Sequence, residues 1–258
     1  MMLLIKNIKT LVNVDDKLNK WVAGANMQNL STIDDAFLLI EDDKISDYGK
    51  MQDLSHIHSF DRIIDADGKM VFPSFCDSHT HLVYAGSREI EYSDKIRGLS
   101  YAEIAKRGGG ILNSAKLLHN TSEEELYRQS LERINEIIAL GTGAVEIKSG
   151  YGLTVEDELK MLRVIKRLKD TTPVTIQSTF LGAHSVPDEY KGNPDKYVDI
   201  VVDEMLPEVK KEDLADFVDV FCDRGFFTVS QTERILEASS RYGLKPKIHA
   251  NELDFSGG

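Results

Sequence analysis

The sequence predicts an α/β protein: a TIM-like (β/α)8 barrel, incomplete here, with part of a small β-sandwich at its N-terminus. Three observations predict it. From residue 71 onward, apolar strand-like runs alternate with amphipathic helical stretches. The strand-to-strand spacing is about 30–40 residues, as in a barrel whose parallel strands are joined by helices. The polar residues with the most chemistry fall just past the ends of those strands, where such barrels carry their sites.

Residues 1–70 are expected to supply the sandwich part. LLIKNIKTLV and AFLLIEDDKISDYG read as β-type runs broken by polar turns. RIIDADGKMVFP carries an Asp-Gly turn signal between two further strands. No helical period crosses this region. His56 and His58, in SHIHSF, read as a loop pair, since nothing nearby would complete a metal site.

Residues 71–258 are expected to form the first part of the barrel. Strand candidates are 71–78, 143–149, 173–180, 217–222 and 246–250. SEEELYRQSLERINEIIALG has a serine start, early acids and a glycine stop, the marks of a helix. TVEDELKMLRVIKRLKD has Thr154 as N-cap, acids in its first turn and bases in its last, which matches the helix dipole. PDKYVDIVVDEMLPEVKK and SQTERILEASSRYGL follow the same plan. An open doubly wound sheet is the alternative, but no Gly-x-Gly-x-x-Gly follows the first strand. The glycines 108–110 read as a loop, either merely flexible or covering the active site. Five strand candidates fall short of the eight a closed barrel has. The sequence stops at DFSGG, just after a strand, so the chain is expected to be a piece of a longer protein that carries the remaining strands.

At 258 residues the chain has room for one large domain, or a large and a small one. The net charge of −12 argues against nucleic acid and anionic membrane surfaces as partners. An anionic substrate would need positive charge supplied locally by the site. Cys76 and Cys222 lie in apolar runs and are expected to be reduced core residues. The start MMLLIKNIKTLV has neither a basic leader nor a long apolar core, and no stretch approaches membrane-span length, so the expected compartment is the cytoplasm.

The chemistry starts from His79-Thr80-His81. In an extended strand, residues i and i+2 point to the same side, so two imidazoles can aim at one point, as a divalent metal requires. His249, with Glu252 three residues on, closes the last strand candidate. Lys148, Ser149 and Tyr151 close the second, His184 the third, and Asp223 and Arg224 the fourth. His119 falls on a helix and reads as structural.

PSFCDSHTHL resembles the metal-binding strand of the amidohydrolase superfamily, P-G-hydrophobic-hydrophobic-D-x-H-x-H, with Ser74 and Cys76 as departures. Together with EIKSGYGL, TFLGAHSVP and KIHANEL, it makes roughly residues 60–258 similar to the imidazolonepropionase family within that superfamily. The resemblance implies a metal-dependent hydrolase barrel beside a sandwich completed by C-terminal strands. It implies one divalent metal, zinc or iron, held by His79, His81, His249 and an aspartate beyond residue 258. Such a ligand set leaves room for a water whose pKa falls toward 7.

The superfamily often bridges two metals with a carboxylated lysine. FCDRGFF offers none after the fourth strand, and Lys148 is the competing position, readable also as an ordinary paired lysine. Arg88 is implied to bind a propionate carboxylate through bidentate hydrogen bonds. Tyr151 and Tyr101 are implied to contact the substrate. His184 would polarise a ring carbonyl, and Glu252 would orient the substrate or move protons. Asn251 stands where the family commonly has aspartate. The implied reaction is hydrolysis of the cyclic amide C–N bond of 4-imidazolone-5-propanoate to N-formimidoyl-L-glutamate in histidine degradation, by a homodimer. Another cyclic amidase, a nucleobase-type aminohydrolase, and a barrel scaffold without catalysis are the other readings.

Overall fold

The computed structural model describes residues 1–14, 21–54, 59–87, 89–99, 103 and 109–258. The chain divides into two units, Met1–Ser74 and Phe75–Gly258.

The first unit is one mixed five-stranded sheet. Strands β1 (Met2–Val12), β2 (Thr32–Glu41) and β3 (Lys44–Lys50) form an antiparallel meander in the order β3-β2-β1. β4 (Arg62–Asp65) and β5 (Met70–Val71) both lie parallel to β1. The Asp67-Gly68 signal therefore separates two strands that share a neighbour rather than pairing as a hairpin. Both residues have positive φ, 49° and 72°, the left-handed conformation that tight turns demand. Leu38 packs with Ile8 and Leu11, while Phe37 and Leu39 pack with Leu4. Successive side chains point to opposite faces of a strand, so this sheet buries apolar residues on both faces.

The second unit is built on a wholly parallel sheet. Its strands are β6 (Phe75–Thr80), β7 (Thr142–Lys148), β8 (Thr175–Ala183), β9 (Phe217–Cys222), β10 (Lys245–Pro246) and β11 (His249–Ala250). The order is β6-β7-β8-β9-β10, with β11 also pairing β9. Strand order follows chain order without reversal. That is the winding of a barrel wall, whereas a doubly wound sheet reverses at a switch point. Helices α1 (Glu89–Ile96), α2 (Ile111–His119), α3 (Glu123–Ala139), α4 (Val155–Thr171), α5 (Pro194–Ile200), α6 (Leu206–Lys211) and α7 (Val229–Ser240) lie between the strands.

The helix boundaries follow local chemistry. Ser122, Thr154 and Thr228 each accept a hydrogen bond from the backbone N–H three residues on, and Thr228 with Gln231 completes a capping box. The single helix read over 194–211 is interrupted by a π-turn at Val201–Met205. Pro207, at the start of α6, has no N–H to continue the α-helical ladder, and the wider turn sits immediately before it. Between helices and sheet lies a core of fully buried side chains, including Leu126, Ile147, Leu162, Ile165, Phe180, Val218 and Ile235.

The strand expected over 71–78 is two strands. Residues 70–71 join the first sheet beside β1, and 75–80 join the second beside β7. The expectation of two core cysteines holds for Cys222, which is buried, and fails for Cys76, which is exposed. β6 is the end strand of its sheet, and an end strand of a parallel sheet is not covered on both faces as an interior strand is. Its residues Phe75–His79 are all exposed. Among the described residues, no helix is long and apolar enough to cross a membrane.

Candidate metal centre

His79 is the fifth residue of β6, and His81 follows the strand's last residue. Thr80 turns the other way and its hydroxyl donates to the Glu146 carbonyl at 2.6 Å, which fixes this strand end against β7. His249 opens β11, in register with Phe221 of the neighbouring strand. One ring nitrogen from each of His79, His81 and His249 falls in a group within 4.8 Å of one another. Nε2 of His81 and Nε2 of His249 are 3.4 Å apart. Two imidazoles bound to one tetrahedral ion at about 2.0–2.1 Å place their nitrogens at about this separation.

The protonation states agree with a ligand set. Asp219, on β9, accepts the His249 backbone N–H at 3.0 Å and takes His249 Nδ1 at 2.9 Å. A carboxylate only accepts, so Nδ1 carries the proton and Nε2 presents its lone pair to the other rings. Burial, then the neighbouring rings of His184, His249 and His79, push the His81 pKa down to about 2. Burial and the nearby His249 and Lys148 lower His79 as well. His81 Nδ1 is buried with no hydrogen-bond partner. A buried polar atom without a partner is costly, and neutral imidazoles gathered this closely are what a divalent cation accepts. The residues present fit one divalent ion.

His184, at the end of β8, stacks on His81 with ring centroids 4.9 Å apart and planes 13° apart. Its Nδ1 donates to the Gly150 carbonyl at 2.9 Å. Tyr151 closes this side, 5.3 Å from the His184 ring and 5.7 Å from the His81 ring. A cavity of about 200 Å³ beside these rings is lined by His81, Tyr84, Ser114 and Tyr151.

The loop SGYGL owes its shape to Glu158. This fully buried carboxyl accepts the N–H groups of Gly150, Gly152 and Leu153 at 3.0, 2.7 and 3.0 Å. Burial raises its pKa, against the opposing pull of those hydrogen bonds. A Cβ on Gly152 would sit 2.3 Å from the Glu158 backbone nitrogen, and one on Gly150 2.8 Å from His184 Nδ1. Glycine is required at both positions by close approach.

Beneath the rings lies a buried charge cluster. Lys148 Nζ donates to Glu146 Oε1 at 2.5 Å and to Asp219 Oδ2 at 2.8 Å. Glu146 also accepts from the Thr179 hydroxyl and from Lys247. Lys148 is therefore the paired lysine. A carbamate there would set a third negative charge against two carboxylates.

Glu252 is exposed on the loop after His249, and its side chain joins none of these ring contacts. The loop is held from behind by Asp223, which accepts the N–H groups of Glu252 and Leu253 at 2.9 Å each. Arg224 pairs with Asp254 on the same surface. Arg88, Tyr101, His56 and His58 lie outside the described residues. His119 donates Nδ1 to Asp157 at 2.7 Å from the end of α2, a structural pairing. Sequence reasoning does not mark Asp219, Glu158, Tyr84 or Ser114 as site residues.

No protein-family profile matches the chain. It is similar to the imidazolonepropionases of Christiangramia forsetii and Flavobacterium johnsoniae, 56% identical to each over 258 residues, which is all of this chain and 62% of each relative. It is 50% identical over 238 residues to the imidazolonepropionase of Brevibacillus brevis, covering 90% of this chain and 56% of the relative. In sequence, the chain is similar to imidazolonepropionases along the whole of its own length. It spans about three-fifths of the length of these curated relatives.

Among solved structures it is similar to a 5-methylcytosine deaminase from Klebsiella pneumoniae liganded with 5-fluorocytosine, with TM-score 0.63 and 18% identity over 97% of this chain and 52% of that one. A triazine hydrolase variant matches with TM-score 0.63 and 16% identity, over 98% of this chain and 53% of that one. Atrazine chlorohydrolase TrzN from Arthrobacter aurescens, complexed with zinc, matches with TM-score 0.54 and 16% identity, over 97% of this chain and 53% of that one. These likenesses show that the chain shares the fold of those proteins.

Proposed function

We propose that the intact protein carrying this chain hydrolyses the cyclic amide C–N bond of 4-imidazolone-5-propanoate, giving N-formimidoyl-L-glutamate in histidine degradation. The observation that carries the reading is the convergence of His79, His81 and His249 in a chain similar to imidazolonepropionases. One divalent ion, zinc or iron, is held by those three imidazoles and completed by an aspartate from the remainder of the protein. TrzN, of similar fold, is described complexed with zinc, and His and Asp suit zinc and iron alike. The ion supplies Lewis acidity and brings the pKa of water toward neutrality.

The chain's own residues do the rest. His184 gives its Nδ1 proton to Gly150, so its neutral ring offers Nε2 as an acceptor. It takes a proton from the attacking water, and as an imidazolium it then donates to the oxygen on which charge develops. Glu252 orients the substrate and relays the proton from His184 to the ring nitrogen as the C–N bond opens, which returns His184 to its neutral form. Water's hydroxyl ends on the carbonyl carbon and its proton on that nitrogen. Tyr151 contacts the substrate beside His81, Tyr101 lines the same pocket, and Arg88 binds the propionate carboxylate. The sheet of residues 1–74 is one part of a β-sandwich, and strands β6–β11 are part of a barrel that further strands complete. The protein works in the cytoplasm as a homodimer on an anionic small molecule, with neither nucleic acid nor membrane as partner.

The test is loss of the imidazolone absorbance on adding metal-loaded intact protein. Acceleration over the spontaneous reaction is expected. No acceleration refutes the assignment, and turnover of a purine or pyrimidine with ammonia release points to an aminohydrolase instead.

A further inference from the structure

The three imidazoles are not equally supported. Among the described residues, His249 alone of the three has an anion on its far nitrogen, and that anion belongs to a cluster of charges spanning three strands. Glu146 and Lys148 are on β7, Asp219 is on β9, and the half-buried Lys247 lies between β10 and β11. Lys148 and Asp219 are each only 2% exposed, and Glu146 is 4%. Lys148 Nζ lies within hydrogen-bond distance of both carboxylates, and Asp219 Oδ2 lies within hydrogen-bond distance of both Lys148 Nζ and His249 Nδ1. The other Asp219 oxygen accepts the His249 N–H, so one carboxylate grips both the ring and the backbone of the same residue.

The charges close: two carboxylates face two lysines, Lys148 and Lys247, and His249 need carry none. Burial alone would raise the Asp219 pKa, but the hydrogen bond from His249 and the Lys148 ammonium hold it at about 2. Burial likewise works against ionised Glu146, and the bonds from Lys148, Lys247 and Thr179 overcome it.

We propose that Asp219, itself held by the Lys148–Glu146 pair, is the positioning residue that sets the tautomer and aim of His249 at the metal centre. This rests on the metal reading above and adds residues to which that reading gives no role. The physical content is specific. The carboxylate fixes the proton on Nδ1, leaves Nε2 bare 3.4 Å from His81 Nε2, and raises the ring's basicity toward a cation. Lys148 keeps Asp219 from turning, because rotating the carboxylate away would strand a buried ammonium beside Glu146 alone. The cluster thus ties the end of β7 to a ring on β11 through β9.

Two measurements test it in the intact protein. The first is the affinity for Zn²⁺ by chelator competition, with the visible spectrum of the Co²⁺-substituted protein read alongside. Asp219→Asn keeps the shape and loses the charge, and is expected to weaken Zn²⁺ binding by about 10- to 100-fold and to shift the Co²⁺ bands. Lys148→Arg keeps the cation and is expected to retain most of the affinity. The second needs no variant: ¹⁵N NMR of the metal-free wild type should show His249 as the Nδ1-protonated tautomer. An Nε2-protonated His249, or an Asp219→Asn protein with wild-type affinity and spectrum, overturns the proposal. A wild type that binds no metal refutes the metal centre itself, whereas a metal-loaded wild type with an unaffected variant refutes only the role of Asp219.

Discussion

Among the described residues are two histidine–aspartate pairs with nearly the same bond and opposite surroundings. His119 Nδ1 lies 2.7 Å from Asp157, and His249 Nδ1 lies 2.9 Å from Asp219. The His119 side chain is 70% exposed at the end of a helix, and its carboxylate also serves Lys160 and the Thr154 cap. The His249 side chain is 5% exposed at a strand end, and its second nitrogen faces His81. In both pairs the aspartate fixes the ring. What differs is what the ring's other edge meets, and only the strand-end position brings it to two more imidazoles. A histidine's partner is therefore a weaker guide to its role than the place where the fold puts it.

The largest expected effect separates the two pairs outright. His249→Ala should strip metal from the intact protein on dialysis, weakening binding by more than about a hundredfold, since losing a mere hydrogen-bond partner of a ligand costs about 10- to 100-fold. His119→Ala should leave the metal content unchanged. Equal metal loss in both variants would erase the distinction.

Next in size is the loop that runs between the two pairs. Gly152→Ala forces a Cβ onto the Glu158 backbone nitrogen, and a backbone atom cannot step aside as a flexible side chain can. We expect a loss of about 2–3 kcal/mol or more in urea unfolding. A neutral result would mean the loop is free to move, and with it Tyr151 and the carbonyl that orients His184.

Acid sharpens the comparison from the buried side. The folded-state pKa of His81 is depressed to about 2 from an ordinary value near 6.5, and His79 is shifted the same way. Between those pH values the unfolded chain binds protons that the folded one refuses, so stability is fully present above about pH 6.5 and falls as the pH drops. Urea midpoints of the metal-free protein should decline from pH 6.5 to pH 4, above the range where most carboxylates titrate. His81→Asn should flatten that slope; an unchanged slope would contradict the burial assigned to this ring.

The smallest effects belong to the exposed pair's neighbourhood. Thr154→Ala removes the cap of α4 and one contact to Asp157, for about 1 kcal/mol by thermal or urea unfolding. His119→Ala should cost less than about 1 kcal/mol, as exposed ion pairs do.

Much of this arrangement is legible in the sequence. The His-x-His spacing puts two rings on one strand end, and the strand–helix alternation puts His184 and His249 at equivalent ends. Capping threonines and serines mark the helix starts to within a residue or two, because their bonds are local. What escapes are effects that depend on sequence-distant partners. Asp219 meets its histidine thirty positions later and its lysine seventy-one positions earlier, so no local pattern flags it. Glu158 reads as one more first-turn acid complementing a helix dipole, yet it reaches back to three loop amides. Cys76 sits in an apolar run, and only the position of its strand at the sheet's end makes it exposed. The strand expected over 71–78 hides a change of sheet, which hydrophobicity alone does not mark.

The most direct test of the account is anomalous diffraction from crystals of the intact, metal-loaded protein. One ion is expected, bonded at about 2.0–2.1 Å to ring nitrogens of His79, His81 and His249 together. An ion bound elsewhere, or a His249 ring turned out of the coordination sphere with Asp219 left unpaired, would contradict it.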